Sequence, residues 1–80
     1  MEEPVKRFIE ACETGDTDLV VELSEIVEWD DLIIGLRRAC RAGHIDIVRW
    51  LYEGYEVRDN LAYDLACNCK HTDIITMMSH

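Results

Sequence analysis

Cysteine and histidine are the side chains of this 80-residue sequence that could hold a metal ion or act as nucleophile and base. Cys67, Cys69 and His71 stand at alternate positions and could together supply three zinc ligands. Zinc sites usually combine two ligand pairs at defined spacings, however, and the sequence has no second cluster. Because helical spacing also directs Cys67 inward and Cys69 outward, we expect no metal site and no cofactor.

Catalysis would most readily use His44 or His71 as a general base. The sequence lacks a Ser-His-Asp set, a glycine-rich phosphate loop and an HExxH metal motif. Both histidines stand immediately before an apolar helical pattern, where an imidazole ring can hold the turn that begins a helix. We therefore interpret both as structural and expect that the protein is not an enzyme.

The elements that position these residues recur three times. Residues 39–51 begin with Ala-Cys, pass through Gly43, which suits the positive φ that often follows a helix, and continue as an apolar helical face. The same thirteen-residue pattern occupies 11–23 and 66–78, at separations of 28 and 27 residues. The copies share Ala-Cys at the start, aspartate at the eighth position and a large apolar residue at the thirteenth. Self-similarity at such a period indicates a stacked array of helical repeats.

The pattern Ala39-Cys40-x-x-Gly43-His44-x-Asp46-Ile47-Val48 resembles the centre of an ankyrin repeat. The resemblance covers nearly the whole chain as three repeats, about 3–29, 30–58 and 59–80. Each unit is shorter than the usual 33 residues, and the Thr-Pro-Leu-His opening of the first helix is missing. The resemblance implies an all-α stack of three helix-turn-helix units, with six short helices and with β-hairpin fingers reduced or absent. Similar shortened repeats occur in ankyrin proteins of large DNA viruses, which would make this a viral protein that acts on a host factor.

Apolar spacing and capping residues place the helices of this stack. We predict helices over about 4–14, 45–53 and 72–79. The second helix is opened by Asp16 and fades near Val27. The third follows a charged loop that contains Trp29, and is capped by Asp30 or Asp31, while Asn60 opens the fifth. The predicted inward-facing positions of the first three helices are Val5, Phe8, Ile9, Cys12, Leu19, Val20, Leu23, Ile26, Leu32, Ile33, Leu36, Ala39 and Cys40. The apolar face of the fourth helix is Ile45, Ile47, Val48 and Leu51, and the fifth helix carries Leu61, Tyr63, Leu65 and Ala66.

Three of the four cysteines, Cys12, Cys40 and Cys67, occupy the same position of the repeat. Equivalent residues on stacked helices lie about 9–10 Å apart, beyond the reach of about 7 Å that a disulfide allows between Cα atoms. The pattern predicts free, buried thiols in a reducing compartment. No run of about 18 apolar residues is present, so we expect no membrane span and a cytoplasmic, intracellular location.

Negative charge is concentrated in the first part of the chain, although the whole sequence carries −9. Residues 1–31 hold eleven acidic and two basic side chains, whereas residues 32–80 hold six of each. Binding to nucleic acid requires a basic surface, so we expect no nucleic-acid partner. The acidic part acts either as a solubilising cap of the stack or as a surface that binds a basic protein, in the manner of a nucleic-acid mimic.

The expected function is binding to another protein. Ankyrin repeats bind through the tips between repeats and through the residues before the Gly-His turn, and aromatic and arginine side chains dominate binding hot spots. The predicted partner-binding residues are Trp29, Asp30, Asp31, Arg37, Arg41, Tyr55, Glu56 and Arg58. Arg37 and Arg41 share a basic helix face with Arg38, and this face can alternatively form ion pairs with acidic residues of neighbouring helices, namely Glu10, Glu13 and Asp64.

A second hypothesis is self-assembly. The last helix has no following repeat in the sequence to cover its apolar side, so Ile74, Met77 and Met78 are predicted to lie next to solvent. Two copies could bury these edges against each other as a homodimer. The protein would then be a structural or regulatory oligomer.

Overall fold

A computed structural model describes residues 3–79, which form six α-helices and no β-strand. This part of the chain measures 37 × 21 × 19 Å along its principal axes. None of its helices is both long and apolar enough to cross a bilayer. The helices are α1 (Pro4–Thr14), α2 (Thr17–Leu23), α3 (Trp29–Ala42), α4 (Ile45–Arg49), α5 (Asn60–Asn68) and α6 (Thr72–Met78), and a π-helical turn (Trp50–Gly54) follows α4.

Local chemistry sets the turn between α1 and α2. Pro4 lies in the first turn of α1, where its missing N–H leaves no hydrogen bond unmade. Gly15 ends the helix with a φ of 88°, and its N–H donates to the Ala11 carbonyl over 2.9 Å. Asp16 then caps α2, since its carboxylate accepts from the Leu19 N–H at 3.2 Å. The predicted bounds of α1 and the predicted cap of α2 are confirmed.

Helix α2 ends at Leu23, earlier than predicted, with Ser24 as its C-terminal cap residue, whose N–H donates to the Val20 carbonyl over 2.9 Å. The Ser24 hydroxyl is buried and donates to the Val21 carbonyl over 2.8 Å. The chain turns immediately after it, so Ile26 does not continue the inner stripe of α2. The prediction that Ile26 belongs to the core is wrong, since this side chain is 63% exposed.

Helix α3 begins at Trp29, so Trp29 lies in the first helical turn and not in a loop. The cap position is Glu28, and the prediction of Asp30 or Asp31 there is wrong. Asp31 acts from inside the helix instead, where its carboxylate accepts from the Glu28 N–H at 3.1 Å. Asp30 also lies in this first turn, where a carboxylate interacts favourably with the positive end of the helix dipole.

The fifth helix is capped by Asp59, which accepts from the Ala62 N–H at 3.0 Å, and not by Asn60 as predicted. Its buried residues are Ala62 and Ala66. The residue preceding Ala62 on the helix points about 100° away from it. Leu61 is therefore 48% exposed.

The helices pack in two rows. In the first row α1 packs against α3, and α3 against α5; in the second row α4 contacts both α2 and α6. Each helix of the first row also packs on the helix that follows it in the chain. A single apolar core runs between the rows, formed by Phe8, Ala11, Cys12, Val20, Leu23, Leu32, Leu36, Ala39, Cys40, Ile47, Val48, Leu51, Val57, Ala62, Ala66 and Ile74.

Ile74, predicted to lie at a solvent-exposed edge, is fully buried. It is the one buried residue of α6, and it joins the core that the two helix rows enclose. Met77 and Met78 are half-buried and pack against the same core. Ile74 is therefore not available to contact a second copy.

Candidate functional site

Two histidines connect successive helix pairs in the same way. His44 precedes α4, and its Nε2 lies 2.9 Å from the Glu13 carbonyl oxygen at the end of α1. His71 precedes α6, and its Nε2 lies 3.0 Å from the Arg41 carbonyl oxygen at the end of α3. Because a carbonyl only accepts, each ring donates from Nε2–H. Each ring thus binds the end of a helix in the preceding pair, and not the turn of its own pair as predicted.

A glycine lies beneath each of these rings. A Cβ atom on Gly15 would come within 2.8 Å of the His44 ring, and one on Gly43 within 2.6 Å of the His71 ring. Both glycines also have positive φ, as does Lys70 at the equivalent position after α5. Lys70 is exposed, and within residues 3–79 no histidine follows His71 that could lie over it.

Arg37 is engaged inside the protein by Asp59. Its Nε and one terminal nitrogen donate to the two carboxylate oxygens of Asp59 over 2.7 and 3.1 Å, with side-chain exposures of 37% for the arginine and 15% for the aspartate. These two hydrogen bonds lower the pKa of Asp59 and raise the pKa of Arg37. Arg37 therefore links α3 to the start of α5 and is not a free partner-binding residue.

Replacement of Asp59 by asparagine is expected to cost about 1 kcal/mol of folding free energy near pH 7, since the pair is bidentate but partly exposed. Asparagine still caps α5. The pKa of Asp59 is lower in the folded than in the unfolded state, so its stabilisation is complete above the unfolded value of about 3.9 and is lost as pH falls through the folded value. Urea unfolding from pH 7 to pH 2 should show the difference from the parent protein vanishing in acid.

The matched control for this prediction is Asp64→Asn, which removes the same charge from an exposed position of the same helix. We expect it to have little effect at any pH. If Asp59→Asn and Asp64→Asn gave the same pH profile, the ion pair with Arg37 would not contribute to stability.

The predicted ion pairing between helices is found at Arg38, whose guanidinium lies 3.0 Å from the Glu13 carboxylate. Both side chains are nearly half exposed, so the pair contributes at most about 1 kcal/mol. Arg41 is exposed beside them. Glu13, Arg38, Arg41 and Ala42 line an open cleft of about 390 Å³ at this end of α1 and α3.

Two of the other predicted partner-binding residues are held by internal contacts. The Tyr55 hydroxyl lies 3.2 Å from the Ser24 hydroxyl, and its ring packs edge-on against Trp50, with centroids 5.8 Å apart. The Arg58 guanidinium lies 3.8 Å from the centre of the Tyr52 ring and donates to the Tyr52 carbonyl. Tyr55 is half-buried as a result, whereas Arg58 remains exposed.

The remaining predicted residues separate into two groups. Trp29, which is 49% exposed, lies at the start of α3 together with Asp30, whereas Arg41 lies in the last turn of the same helix. Twelve residues of α-helix separate Trp29 from Arg41 by about 18 Å, so they cannot serve one small site. Asp31 is half-buried at the first end, and Glu56 is exposed in the connection that precedes α5.

Sequence reasoning missed Ile26, the most exposed large apolar side chain among residues 3–79. A signal was present in the repeat pattern itself. The thirteen-residue pattern ends at Leu23, and no other copy extends an apolar stripe three residues further. Ile26 therefore lies outside the recurring unit, in the connection between α2 and α3.

The four cysteines fall into two classes. Cys12 and Cys40 are fully buried, and this burial raises the pKa of each thiol to about 12. Cys12 lies against Gly35 of α3, and Cys40 contacts the sulfur of Met78 at 4.0 Å. Cys67 and Cys69 are exposed. The prediction of a buried Cys67 is wrong, because no helix of the described residues packs beyond α5 in its row.

This difference predicts selective thiol reactivity. In the folded protein Cys67 and Cys69 should react with a thiol reagent such as dithionitrobenzoate, while Cys12 and Cys40 stay protected by burial and by their raised pKa. All four should react after unfolding in guanidinium. Rapid reaction of four thiols in the native protein would contradict the burial of the equivalent positions in α1 and α3.

Within residues 3–79, no three histidine, cysteine or acidic side chains converge on a point where they could ligate a metal ion. Comparison with protein-family models, with curated proteins and with solved structures finds no match to this chain.

Proposed function

We propose that the protein is a non-enzymatic protein-interaction module built from three stacked, shortened ankyrin-like helix pairs. The observation that carries this proposal is the repeated junction: His44 donates to the carbonyl at the end of α1, and His71 makes the equivalent bond to the end of α3. Turns with positive φ at Gly15, Gly43 and Lys70 stand at the same place in each pair. A junction used twice supports an array that presents a broad surface.

The binding surface in this proposal has two ends. One is the connection between α2 and α3 with the first turn of α3, where Trp29 and Asp30 are exposed. The other is the cleft that Glu13, Arg38 and Arg41 line at the far end of α3. Both are places where the ankyrin resemblance puts partner contacts. Arg37 and Tyr55 are left out of the proposed surface because they are half-buried and internal groups bind them.

The test is a selection of random peptides displayed on phage, panned against the complete chain, followed by mapping of the enriched peptides by amide chemical shifts. An 80-residue protein suits this mapping, because its amide signals can be resolved individually. We expect the shift changes to concentrate at one of the two ends of α3. Failure to enrich any peptide, or enriched peptides that contact only α5 and α6, would contradict this function.

Self-assembly is a second candidate, favoured by the exposure of Cys67. The equivalent thiols of Cys12 and Cys40 are covered by neighbouring elements, so α5 presents an uncovered face. Light scattering over a concentration series tests it: a constant mass near 9.3 kDa would exclude it, and a dimer that Cys67→Glu dissociates would support it. Met78 is a poor site for this variant, because it contacts Cys40 and its carbonyl accepts from Tyr52.

A further inference from the structure

We infer that the connection between α2 and α3 docks a basic segment of another protein that carries an apolar anchor. This inference rests on the proposed function and names the partner class for one of its two surfaces. We call this region the acidic tip, and define it as residues 22–31. It contains Glu22, Glu25, Ile26, Glu28, Trp29, Asp30 and Asp31.

The apolar part of the acidic tip consists of Ile26 and Trp29. Only three large apolar side chains are strongly exposed among residues 3–79, and these two stand three positions apart in the chain. Two exposed apolar side chains this near each other in the chain favour an interaction site, and tryptophan is among the residues most enriched in binding hot spots. The third exposed apolar residue, Leu61, lies at the start of α5.

The charge around this pair selects the partner. The acidic tip contains five carboxylates and no lysine or arginine, and four of the five, at Glu22, Glu25, Glu28 and Asp30, are exposed. A basic segment is attracted here, whereas nucleic acid, an anionic membrane surface and a second copy of this net −9 chain are all repelled. The charges around Leu61 are mixed, since Arg58 and Asp64 lie three positions before and after it and Asp59 is paired with Arg37.

Hydrogen bonds at both sides of the acidic tip order its backbone before a partner binds. Ser24 is buried at its base, where the hydroxyl donates to the Val21 carbonyl and accepts from the Trp50 indole N–H over 3.2 Å. The Tyr55 hydroxyl lies at the same distance from it. At the other side, the Asp31 carboxylate fixes the backbone of Glu28. A surface that is ordered before binding loses less conformational entropy when a partner docks.

The experiment repeats the selection of random phage-displayed peptides on the parent chain, on Ile26→Ser/Trp29→Ser and on Leu61→Ser. We expect the parent to enrich peptides that combine lysine or arginine with an aromatic or leucine residue. Their affinity should fall about 10-fold or more in the double variant, as for loss of a hot spot, and should be unchanged in Leu61→Ser. Leu61→Ser is the matched control for Trp29, because it removes an apolar side chain of nearly the same exposure from the start of a helix.

A charge comparison tests the second half of the inference. Glu22→Lys/Glu25→Lys should weaken the same peptides strongly, and added salt should weaken them in the parent. Glu10→Lys/Asp64→Lys makes the same change in net charge at exposed positions outside the acidic tip, and should have a smaller effect. Circular dichroism of each variant establishes that the fold is retained.

The outcomes separate this inference from the proposed function. Peptides that bind the Arg41 end, or that ignore both Ile26 and Trp29, would overturn the docking inference and leave the interaction module intact. Equal loss of binding in the two pairs of charge variants would also overturn it, since attraction would then be a property of net charge alone. If no peptide bound any part of the chain, both proposals would fail.

Discussion

Replacement of Gly43 by alanine is expected to lower the free energy of unfolding by about 2–3 kcal/mol. Two effects add. An L residue held at a φ of +85° costs about 1–2 kcal/mol. The new Cβ would also lie 2.6 Å from the His71 ring, so the ring must move and weaken its bond to the Arg41 carbonyl, which is worth about 1 kcal/mol. Chemical denaturation monitored by circular dichroism measures the change. A domain of this length has only about 4–12 kcal/mol in total.

Lys70 provides the matched control, because it stands at the equivalent turn with a φ of 59°. Lys70→Gly should stabilise the protein by about 1 kcal/mol, opposite in sign to Gly43→Ala, since it relieves the backbone alone. In a His71→Ala background Gly43→Ala should keep its backbone cost and lose the part due to the ring. Equal costs of Gly43→Ala with and without His71 would mean that the ring does not restrict this position.

The turns and the helix pairs could be predicted from the sequence because their causes are local. Gly15 and Gly43 mark helix ends through backbone geometry, and Asp16 marks a helix start through a hydrogen bond three residues away. Such signals lie within one turn of the chain. Six helices and the absence of strands among residues 3–79 follow from these signals, and these are the features that the structure confirms.

The candidate site was less predictable because its residues find partners far along the chain. Tyr55 meets Ser24 across 31 residues, and Arg37 meets Asp59 across 22. The position of a residue in the sequence pattern does not show whether its side chain has such a distant partner. Cys67 shows the same difficulty, because it occupies the same position of the thirteen-residue sequence pattern as Cys12. It is exposed because its helix, α5, is the last helix of its row among the described residues.

Phe8 and Gly35 form the contact that brings α1 against α3, and the largest single loss is expected from Phe8→Ala. Phe8 is fully buried, and truncation of a buried phenylalanine costs about 3–5 kcal/mol. Gly35→Ala should cost about 1–3 kcal/mol for the opposite reason, overpacking, since its Cβ would fall 2.4 Å from the Phe8 ring. Helix propensity alone would make Gly35→Ala stabilising by about 1 kcal/mol, so its sign tests the contact.

The double variant Phe8→Ala/Gly35→Ala separates packing from propensity. With the ring removed, the methyl group introduced by Gly35→Ala loses its contact with Phe8 and keeps one tight contact, at 2.9 Å from the Cys12 sulfur, so the overpacking cost falls. The two changes should therefore cost less together than the sum of the single variants, by about 1–2 kcal/mol, within the range of coupling between residues in contact. Gly54→Ala is the control, since a Cβ there would meet only the Trp50 ring at 3.8 Å, an ordinary contact distance. Additive costs for Phe8 and Gly35 would contradict close packing of α1 on α3.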